Sequence, residues 1–399
     1  MMKKTICMLL AAVLLALTAS GCGQLKTDPA TDSDAAPQAT AADAVPADAL
    51  SVAIREINKH GTLILETTFD EMNAAGIEIG DIITVTAGDR TFDLPVGTSY
   101  TDVDSGSMIC RFDQEDKEVG LAVNMGSFAD ETGIAEKQTT EADPGYAWDV
   151  KIPEVTLQLK KKQGYLDEYN ARNLTRTDDR ADYPDLTDEE FANFRAVTAT
   201  GLKENTLYRS TSPIDPDLGR NEYVMAAMEQ AGIKTVVNLA DSEETMKGYE
   251  TFEGSYYSGC KVVTPEMGYD FTGEEFAAKV KQSVLFLAEN DGPYLIHCKE
   301  GKDRTGIFCA ILECFAGASF DEVERDYMTT FYNFYGLQKE DTAYGIILND
   351  NLVKNLCGLF GVDALEGLDL KEAATQYLLS VGLTAEQLSL LGEKLVDAA

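Results

Sequence analysis

The sequence has little positive charge. Lys and Arg number 33 against 68 Asp and Glu in 399 residues, which gives a formal net charge of −35 at pH 7. A field of this sign repels nucleic acid and anionic bilayers wherever no local basic patch overrides it, so we expect no nucleic-acid partner. Long apolar runs are scarce as well. Residues 351–399 hold no apolar stretch of about 20 residues, which excludes a membrane helix there.

Histidine and metal-type cysteine patterns are also lacking. The chain has two histidines and eight cysteines, and the cysteine spacing matches neither a metal site nor a dense disulfide framework. We therefore predict no metal and no cofactor. His60, beside a glycine turn, is expected on the surface. Cys309 and Cys314 lie in an apolar stretch and are expected in a hydrophobic core.

The first 22 residues have the pattern of an export segment. Lys3 and Lys4 precede an uncharged run over 5–19 that is too short to span a bilayer comfortably. Residues 17–22, LTASGC, resemble a bacterial lipoprotein box, in which the cysteine becomes the diacylated N-terminus. The resemblance implies attachment to the outer face of a bacterial cell membrane through lipid on Cys22. An ordinary secretory peptide, cut near the same place, is the alternative.

The next two segments differ sharply in composition. Residues 23–50 have almost no large apolar side chains, so we predict a disordered tether. Over 51–162, short apolar runs between Gly and Asp turns predict strands at 82–86, 90–94, 107–112 and 119–123, and hence a small all-β, barrel-like domain. This segment is faintly similar to the β-barrel C-terminal domain of the SAM hydroxide adenosyltransferases. We expect a spacer or a recognition module.

Residues 163–399 alternate between helix and strand patterns after a charged stretch at 163–200. Thr187 with Glu190 predicts a capping box. Apolar periodicity predicts helices at 221–231, 272–290 and 320–328 and strands at 233–239, 262–263 and 293–296. This alternation predicts an α/β domain with a mainly parallel central sheet flanked by helices. Sheets of this kind bind ligands at the carboxyl ends of their strands.

The stretch 297–306, HCKEGKDRTG, joins the predicted strand 293–296 to an apolar helix at 307–312. Backbone N–H groups that curl around one centre at the first turn of a helix bind an anion with several oxygens. Arg304 can hold two of those oxygens at once. Cys298 lies in the positive field of the helix terminus, Lys302 and Arg304, and is expected to be a thiolate. A thiolate beneath a bound phosphoryl group is a nucleophile.

This stretch resembles the signature of the cysteine-dependent protein tyrosine phosphatases, and its GKDRTG part is similar to the bacterial tyrosine and lipid phosphatase branch. The resemblance implies that Cys298 is the nucleophile, that Thr305 donates a hydrogen bond to its sulfur and that His297 orients the loop. The positions expected to bind the substrate phosphate are Lys299, Glu300, Gly301, Lys302, Asp303 and Arg304.

A second segment, 206–213, resembles the Leu-Tyr-Arg-Ser stretch that opens the catalytic domain of the same branch. Arg209 within it is either a buried ion-pair partner or a residue that approaches the substrate.

The general acid that protonates the leaving group is less well defined. The resemblance points to Asp303, because this branch carries its acid inside the loop. Flanking Lys302 and Arg304 are expected to lower the pKa of an aspartate, which opposes proton donation. Asp241 and Asp270 lie on predicted loops that can reach the site, and they are the alternatives.

The predicted activity is phosphomonoester hydrolysis through a cysteinyl-phosphate intermediate, with a tyrosine-phosphorylated protein as the leading substrate. A phosphoinositide or an inositol phosphate fits the same loop. A phosphate-binding pseudophosphatase that works through its β domain is the alternative of a different class, and the intact Cys298, Arg304 and Thr305 favour catalysis over it. The aromatic run 331–335 is either packing or a wall for phosphotyrosine.

Overall fold

A closed β-barrel precedes a five-stranded α/β sheet along the chain. The structure, a computed structural model, describes residues 49–138 and 147–397. The predicted export segment with Cys22 and the tether up to residue 48 lie outside the described residues. The barrel and the sheet belong to one compact unit, Pro46–Ala399. Within it, the domain boundary between 162 and 163 stays a prediction.

The first part of the described chain contains nine strands. They are β1 (Leu50–Ile57), β2 (Leu63–Leu65), β3 (Ile82–Ala87), β4 (Arg90–Gly97), β5 (Met108–Phe112), β6 (Val119–Val123), β7 (Ala135–Gln138), β8 (Ala147–Val150) and β9 (Glu154–Lys161). Seven of them close the barrel in the order β1-β2-β6-β5-β4-β3-β9, while β7 and β8 form a separate hairpin. All four predicted strands are confirmed.

Alternating burial explains why these segments form a barrel. Every second residue of β3 is buried, beginning with Ile83, so one face of the strand lines the core and the other faces outward. Two short helices, α1 (Phe69–Ala74) and α2 (Phe128–Thr132), each place buried side chains in this part of the structure. The barrel therefore has a hydrophobic core of its own.

Five strands form the second sheet, in the order β10-β11-β14-β12-β13. They are β10 (Arg195–Ala196), β11 (Leu207–Ser210), β12 (Thr235–Asn238), β13 (Lys261–Val263) and β14 (Tyr294–His297). Only the short β10 is antiparallel to its neighbour, which confirms the mainly parallel sheet. Every residue of the central strands β12 and β14 is buried, as expected for strands covered on both faces.

Eleven α-helices accompany this sheet in the described residues. They are α3 (Leu166–Arg172), α4 (Asp188–Phe191), α5 (Asn221–Gln230), α6 (Glu243–Gly248), α7 (Glu274–Glu289), α8 (Asp303–Ala316), α9 (Phe320–Tyr335), α10 (Thr342–Ile347), α11 (Lys354–Phe360), α12 (Leu370–Ser380) and α13 (Ala385–Leu395), with a π-helical segment, Leu348–Val353, between α10 and α11. The predicted helices are confirmed, and the capping box of Thr187 and Glu190 opens α4. Among the described helices, none is both long and apolar enough to cross a bilayer.

Two helices extend at least four residues beyond a predicted end. α8 begins at Asp303, four residues before the apolar run, and each of its later residues is buried. A helix that is buried all round is typical of a core helix. α9 continues to Tyr335, so the aromatic run 331–335 forms its last turns instead of following it.

Helix α3 lies between the barrel and the helices around the sheet. Just before it, the Tyr165 hydroxyl donates a hydrogen bond to the Asp102 carbonyl oxygen at 2.7 Å. At its end, Arg172 pairs with Asp104 at 2.7 Å and with Asp350 at 3.1 Å. The barrel is thus linked by ion pairs to the helical layer that flanks the catalytic loop.

Candidate active site

The predicted catalytic loop lies at the carboxyl end of the central strand β14. Cys298 follows His297 directly and is only 3% exposed. Gly301 turns the loop at φ +64°, and a Cβ atom built on it would lie 2.1 Å from the Ser210 carbonyl oxygen. Only glycine satisfies both the left-handed backbone and this close approach. The sequence GKDRTG thus carries a glycine at the position where the fold requires one.

The loop amides are available to an anion. None of the N–H groups of residues 299–302 donates a hydrogen bond to another group in the described part of the chain. The loop leads into the first turn of α8, whose dipole adds positive potential at the same place. This arrangement of unpaired amides at a helix N-terminus favours a phosphoryl group.

Arg304 is held at the loop by two residues of the segment that follows β13. Its Nη1 donates to the Met267 carbonyl oxygen at 3.2 Å, and the Tyr269 ring centre lies 4.7 Å from its guanidinium carbon. The arginine is 9% exposed, whereas Tyr269 is 65% exposed. Sequence reasoning missed both partners. The available signal was their position after a strand of the same parallel sheet, because the carboxyl ends of such strands meet at one edge.

The charged side chains of the loop point to protein partners. Lys299 pairs with Asp217 at 2.6 Å, and Glu300 accepts from Arg176 at 2.6 Å. Lys302 pairs with the other oxygen of Glu300 at 3.0 Å. These three residues can therefore bind phosphate through their backbone amides, because their side chains are already paired.

Thr305 does not make its predicted hydrogen bond. Its Oγ1 is buried and has no hydrogen-bond partner among the described residues, so the bond to the Cys298 sulfur is absent from this structure. The family resemblance implied a donor near the sulfur, but the side-chain rotamer on α8 decides whether the two atoms meet.

Arg209 is a buried ion-pair partner, which decides between the two interpretations of this residue. It pairs with Asp326 and also donates to the Gly301 carbonyl oxygen at 2.8 Å. Arg195 pairs with the same carboxylate at 2.8 Å. Although burial opposes ionisation, these two arginines hold the pKa of Asp326 below its ordinary value. Arg209 therefore supports the loop from beneath.

His297 is fully buried, and its Nε2 lies 2.9 Å from the Tyr257 hydroxyl. Burial lowers its pKa to about 4, so the imidazole is neutral at pH 7. Its Nδ1 lies 3.2 Å from the Cys298 carbonyl oxygen. These contacts suit a residue that orients the loop.

Comparison with known proteins agrees with this geometry. Residues 188–397 match the model of a family described as the tyrosine phosphatase family. The chain belongs to this family.

Individual relatives match smaller parts of this chain. It is 31% identical over 107 residues to the dual specificity protein phosphatase TpbA of Pseudomonas aeruginosa, which is 27% of this chain and 42% of the relative. The chain thus spans about two fifths of the length of that curated relative.

Among solved structures, P. aeruginosa TpbA in complex with phosphotyrosine is 19% identical, covering 48% of this chain and 98% of that chain at a TM-score of 0.28. The core catalytic domain of the PP-IP phosphatase SIW14 from S. cerevisiae is 20% identical. The match covers 40% of this chain and 87% of that chain at a TM-score of 0.26. Family membership does not depend on these two likenesses.

The three candidate general acids differ in environment. Partial burial raises the pKa of Asp303 above its ordinary value and outweighs the opposing charge of Lys302, contrary to the sequence expectation. Burial likewise raises the pKa of Asp241, which accepts a hydrogen bond from Asn238 Nδ2 at 2.9 Å. Asp270 accepts hydrogen bonds from Thr272 ahead of α7. Burial therefore favours the protonated form of both Asp303 and Asp241.

The aromatic run on α9 packs against cations beside the loop. The rings of Phe331 and Tyr335 each lie 5.9 Å from Lys302 Nζ, and Phe334 lies 4.7 Å from the guanidinium carbon of Arg176. Packing is therefore the observed role of the run. The exposed aromatic side chain beside Arg304 is Tyr269.

Two further predictions from the sequence are confirmed. His60 is exposed, and Cys309 and Cys314 are buried in the core. The six cysteines of the described residues are all unpaired.

Proposed function

We propose that this chain hydrolyses phosphomonoesters through a cysteinyl-phosphate intermediate on Cys298 and that its substrates are tyrosine-phosphorylated proteins. The observation that carries the proposal is the position of Cys298 in a loop of unpaired amides, with Arg304 in the first turn of α8. The same geometry supports catalysis over a binding-only module, because both the nucleophile and the oxyanion ligands are in place.

The reaction follows from these groups. Cys298 Sγ attacks phosphorus, the bond to the leaving oxygen breaks, and that oxygen takes a proton from Asp303. The loop amides and Arg304 stabilise the negative charge on the three equatorial oxygens as the phosphoryl group transfers. Water then attacks the cysteinyl phosphate and gives up a proton to Asp303, which releases phosphate and restores the thiolate.

The environment of the loop favours an aryl ester over an inositol phosphate. A substrate with several phosphates needs several cations, but Lys299 and Lys302 are already paired with carboxylates. The exposed ring of Tyr269 offers a phenyl group an aromatic surface next to Arg304. An inositol phosphate stays the alternative substrate, because the loop amides can bind any phosphoryl group.

We further propose that residues 51–162 and 163–399 are separate domains and that lipid on Cys22 attaches the protein to the outer face of the cell membrane. The lipoprotein-like stretch 17–22 supports the second proposal. The faint similarity of the barrel to the SAM hydroxide adenosyltransferases carries no functional residue across, and we propose a recognition role for it.

A substrate panel tests the proposed activity. Wild type is assayed on a phosphotyrosine peptide, a phosphoserine peptide, a phosphoinositide and a soluble inositol phosphate, beside Cys298→Ser and the control Cys357→Ser on α11. We expect the phosphotyrosine peptide to have the highest kcat/KM, and Cys298→Ser to lose several kcal/mol of transition-state stabilisation while still binding vanadate. Turnover that survives in Cys298→Ser would exclude covalent catalysis at this residue.

A further inference from the structure

The barrel carries a cleft that the catalytic loop does not use. It has a volume of about 850 Å³ and is formed by the turns after β1 and β6 and by the β7/β8 hairpin. Its walls combine the aromatic rings of Trp148 and Tyr100 with the cations Lys59 and Lys137. This size, and this combination of aromatic surface with a few charged groups, is typical of a ligand site.

The walls of this barrel cleft are held in place by the fold. The Trp148 Nε1 donates to the Asn58 carbonyl oxygen at 3.0 Å, and the Asn58 side chain accepts from the backbone of His60 and Thr62 at 2.9 and 3.1 Å. Lys137 lies directly opposite Trp148 in the hairpin, with its Nζ 5.9 Å from the ring centre. Preorganised walls lower the entropy cost of binding.

Met125 lines the same cleft in an unusual state. Its side chain is 88% exposed and its backbone has φ +60°, a region that favours Gly, Asn and Asp. A large apolar side chain gains nothing for folding at such a position, since it is neither buried nor conformationally favoured. Exposed apolar surface beside a cleft of this kind suits contact with a partner.

A second, smaller cleft adjoins the barrel cleft at Thr101. Thr101 lines both the barrel cleft and this second cleft of about 230 Å³, whose other lining residues include Arg172 and Lys302. Lys302 belongs to the catalytic loop. The two clefts therefore meet at Thr101, and an extended polypeptide, at about 3.3–3.6 Å per residue, is a ligand of suitable shape to reach from one to the other.

We propose that the barrel cleft binds an acidic stretch of the substrate protein. The phosphoryl group of that substrate enters the catalytic loop at the same time. The identity of that protein as a substrate rests on the proposed function. Two lysines, Lys59 and Lys137, line the cleft with one carboxylate, Asp130, so its lining has a small excess of positive charge in a chain of net charge −35. An acidic partner is attracted to this patch and repelled elsewhere. A bilayer fits poorly, because Trp148 and Tyr100 lie in a concave wall, whereas flat membranes contact protruding side chains.

Trp148 allows a direct test, because it is the chain's single tryptophan. The full chain is titrated with an unphosphorylated acidic peptide, and Trp148 emission is followed beside a neutral peptide of the same length. We expect a saturable change with the acidic peptide alone. The double variant Lys59→Glu/Lys137→Glu should abolish it, and Met125→Asn should weaken it several-fold. Lys161→Glu is the matched control, since Lys161 is an exposed lysine of β9 outside the cleft.

A second test connects docking to turnover. A short phosphotyrosine peptide is compared with versions that carry an acidic extension of about 12 residues at either end. We expect one extension to raise kcat/KM about tenfold or more, because the second contact makes delivery of the phosphoryl group intramolecular. The double variant should lose this gain and hydrolyse a small aryl phosphate at the wild-type rate.

The outcomes separate this proposal from the activity on which it rests. If wild type hydrolyses no phosphate ester, the proposed function fails, and the emission titration still decides whether the cleft binds acidic peptide. The docking proposal is overturned by an emission response that the double variant retains, by a response to phosphatidylglycerol vesicles instead of peptide, or by no response at all. Binding without any gain from the extensions would overturn the claim that docking and catalysis share one substrate.

Discussion

Asp303→Asn tests the proton donor of the proposed reaction. The change keeps the size of the side chain and its place in the first turn of α8, but it removes the proton that a leaving oxygen needs. Demand for that proton grows as the leaving group becomes poorer. The variant should therefore slow an alkyl phosphate far more than an activated aryl phosphate.

The structure sets the expected size of this effect. A positioned general acid contributes about 10²–10⁴-fold in rate. The Asp303 side chain is 32% exposed, so water can partly replace the lost proton donor. We therefore expect Asp303→Asn to lower the rate on an alkyl phosphate by the smallest factor in this range, about 10²-fold. This loss corresponds to about 2.7 kcal/mol of transition-state stabilisation. For an activated aryl phosphate the loss should stay below about threefold, since little proton transfer is needed.

The pH dependence gives an independent readout. Burial raises the pKa of Asp303, so the carboxyl keeps its proton to higher pH than an ordinary aspartate. The protonated form is the active one, and wild-type kcat/KM should therefore fall as pH rises through that pKa. Asp303→Asn should lack this alkaline limb. Stopped assays of both ester classes across the pH range would measure it.

Asp241→Asn and Asp270→Asn are the comparison variants. Asp241 is the stronger rival, because burial raises its pKa as well. Both variants should keep the wild-type dependence on the leaving group. If Asp303→Asn slows good and poor leaving groups equally, its role is to shape the loop beside Arg304, and the reasoning is refuted. If Asp241→Asn alone shows selective loss on poor leaving groups, the acid is Asp241.

Three further changes have defined outcomes. Gly301→Ala should abolish phosphate binding, because its Cβ would meet the Ser210 oxygen, whereas Gly336→Ala at nearly the same φ has no atom within 4 Å and should cost only about 1–2 kcal/mol of stability by urea unfolding. Burial raises the pKa of Glu313 far above its ordinary value of about 4.3, so the folded protein keeps a proton that the unfolded chain releases. As the pH rises above the ordinary glutamate pKa, the free energy of unfolding should fall by up to about 1.4 kcal/mol per pH unit. Glu313→Gln should remove this slope, as measured by urea titrations at about pH 5 and 7. Cys22→Ala should shift the protein from the membrane fraction to the soluble fraction or block its processing, and a soluble wild type would contradict lipidation.

The elements of the fold were largely predictable from the sequence. Alternating apolar residues over 82–86 and an apolar run over 293–296 predicted β3 and β14, because a half-buried strand and a fully buried strand require these patterns. The geometry of the loop 297–306 was predictable for a related reason. Cys298, its amides and Arg304 are close in sequence, so strand, loop and helix bring them together without help from distant residues.

Contacts between distant segments needed the tertiary structure. Met267 and Tyr269 reach Arg304 because parallel strands end at one edge of the sheet, and strand order is not readable from local pattern. Arg209 had two open interpretations until Asp326 of α9 was found beside it. The barrel cleft likewise depends on turns and a hairpin that meet only after the barrel closes.

The pKa of Asp303 shows the difference between what the sequence determines and what only the tertiary structure determines. The sequence contains the neighbouring charges of Lys302 and Arg304, and from these alone it predicts a lowered pKa. The fold adds burial, which penalises the charged carboxylate and raises the pKa instead. Covalent neighbours are fixed by sequence, but desolvation depends on what packs around a group, and only the tertiary structure determines that.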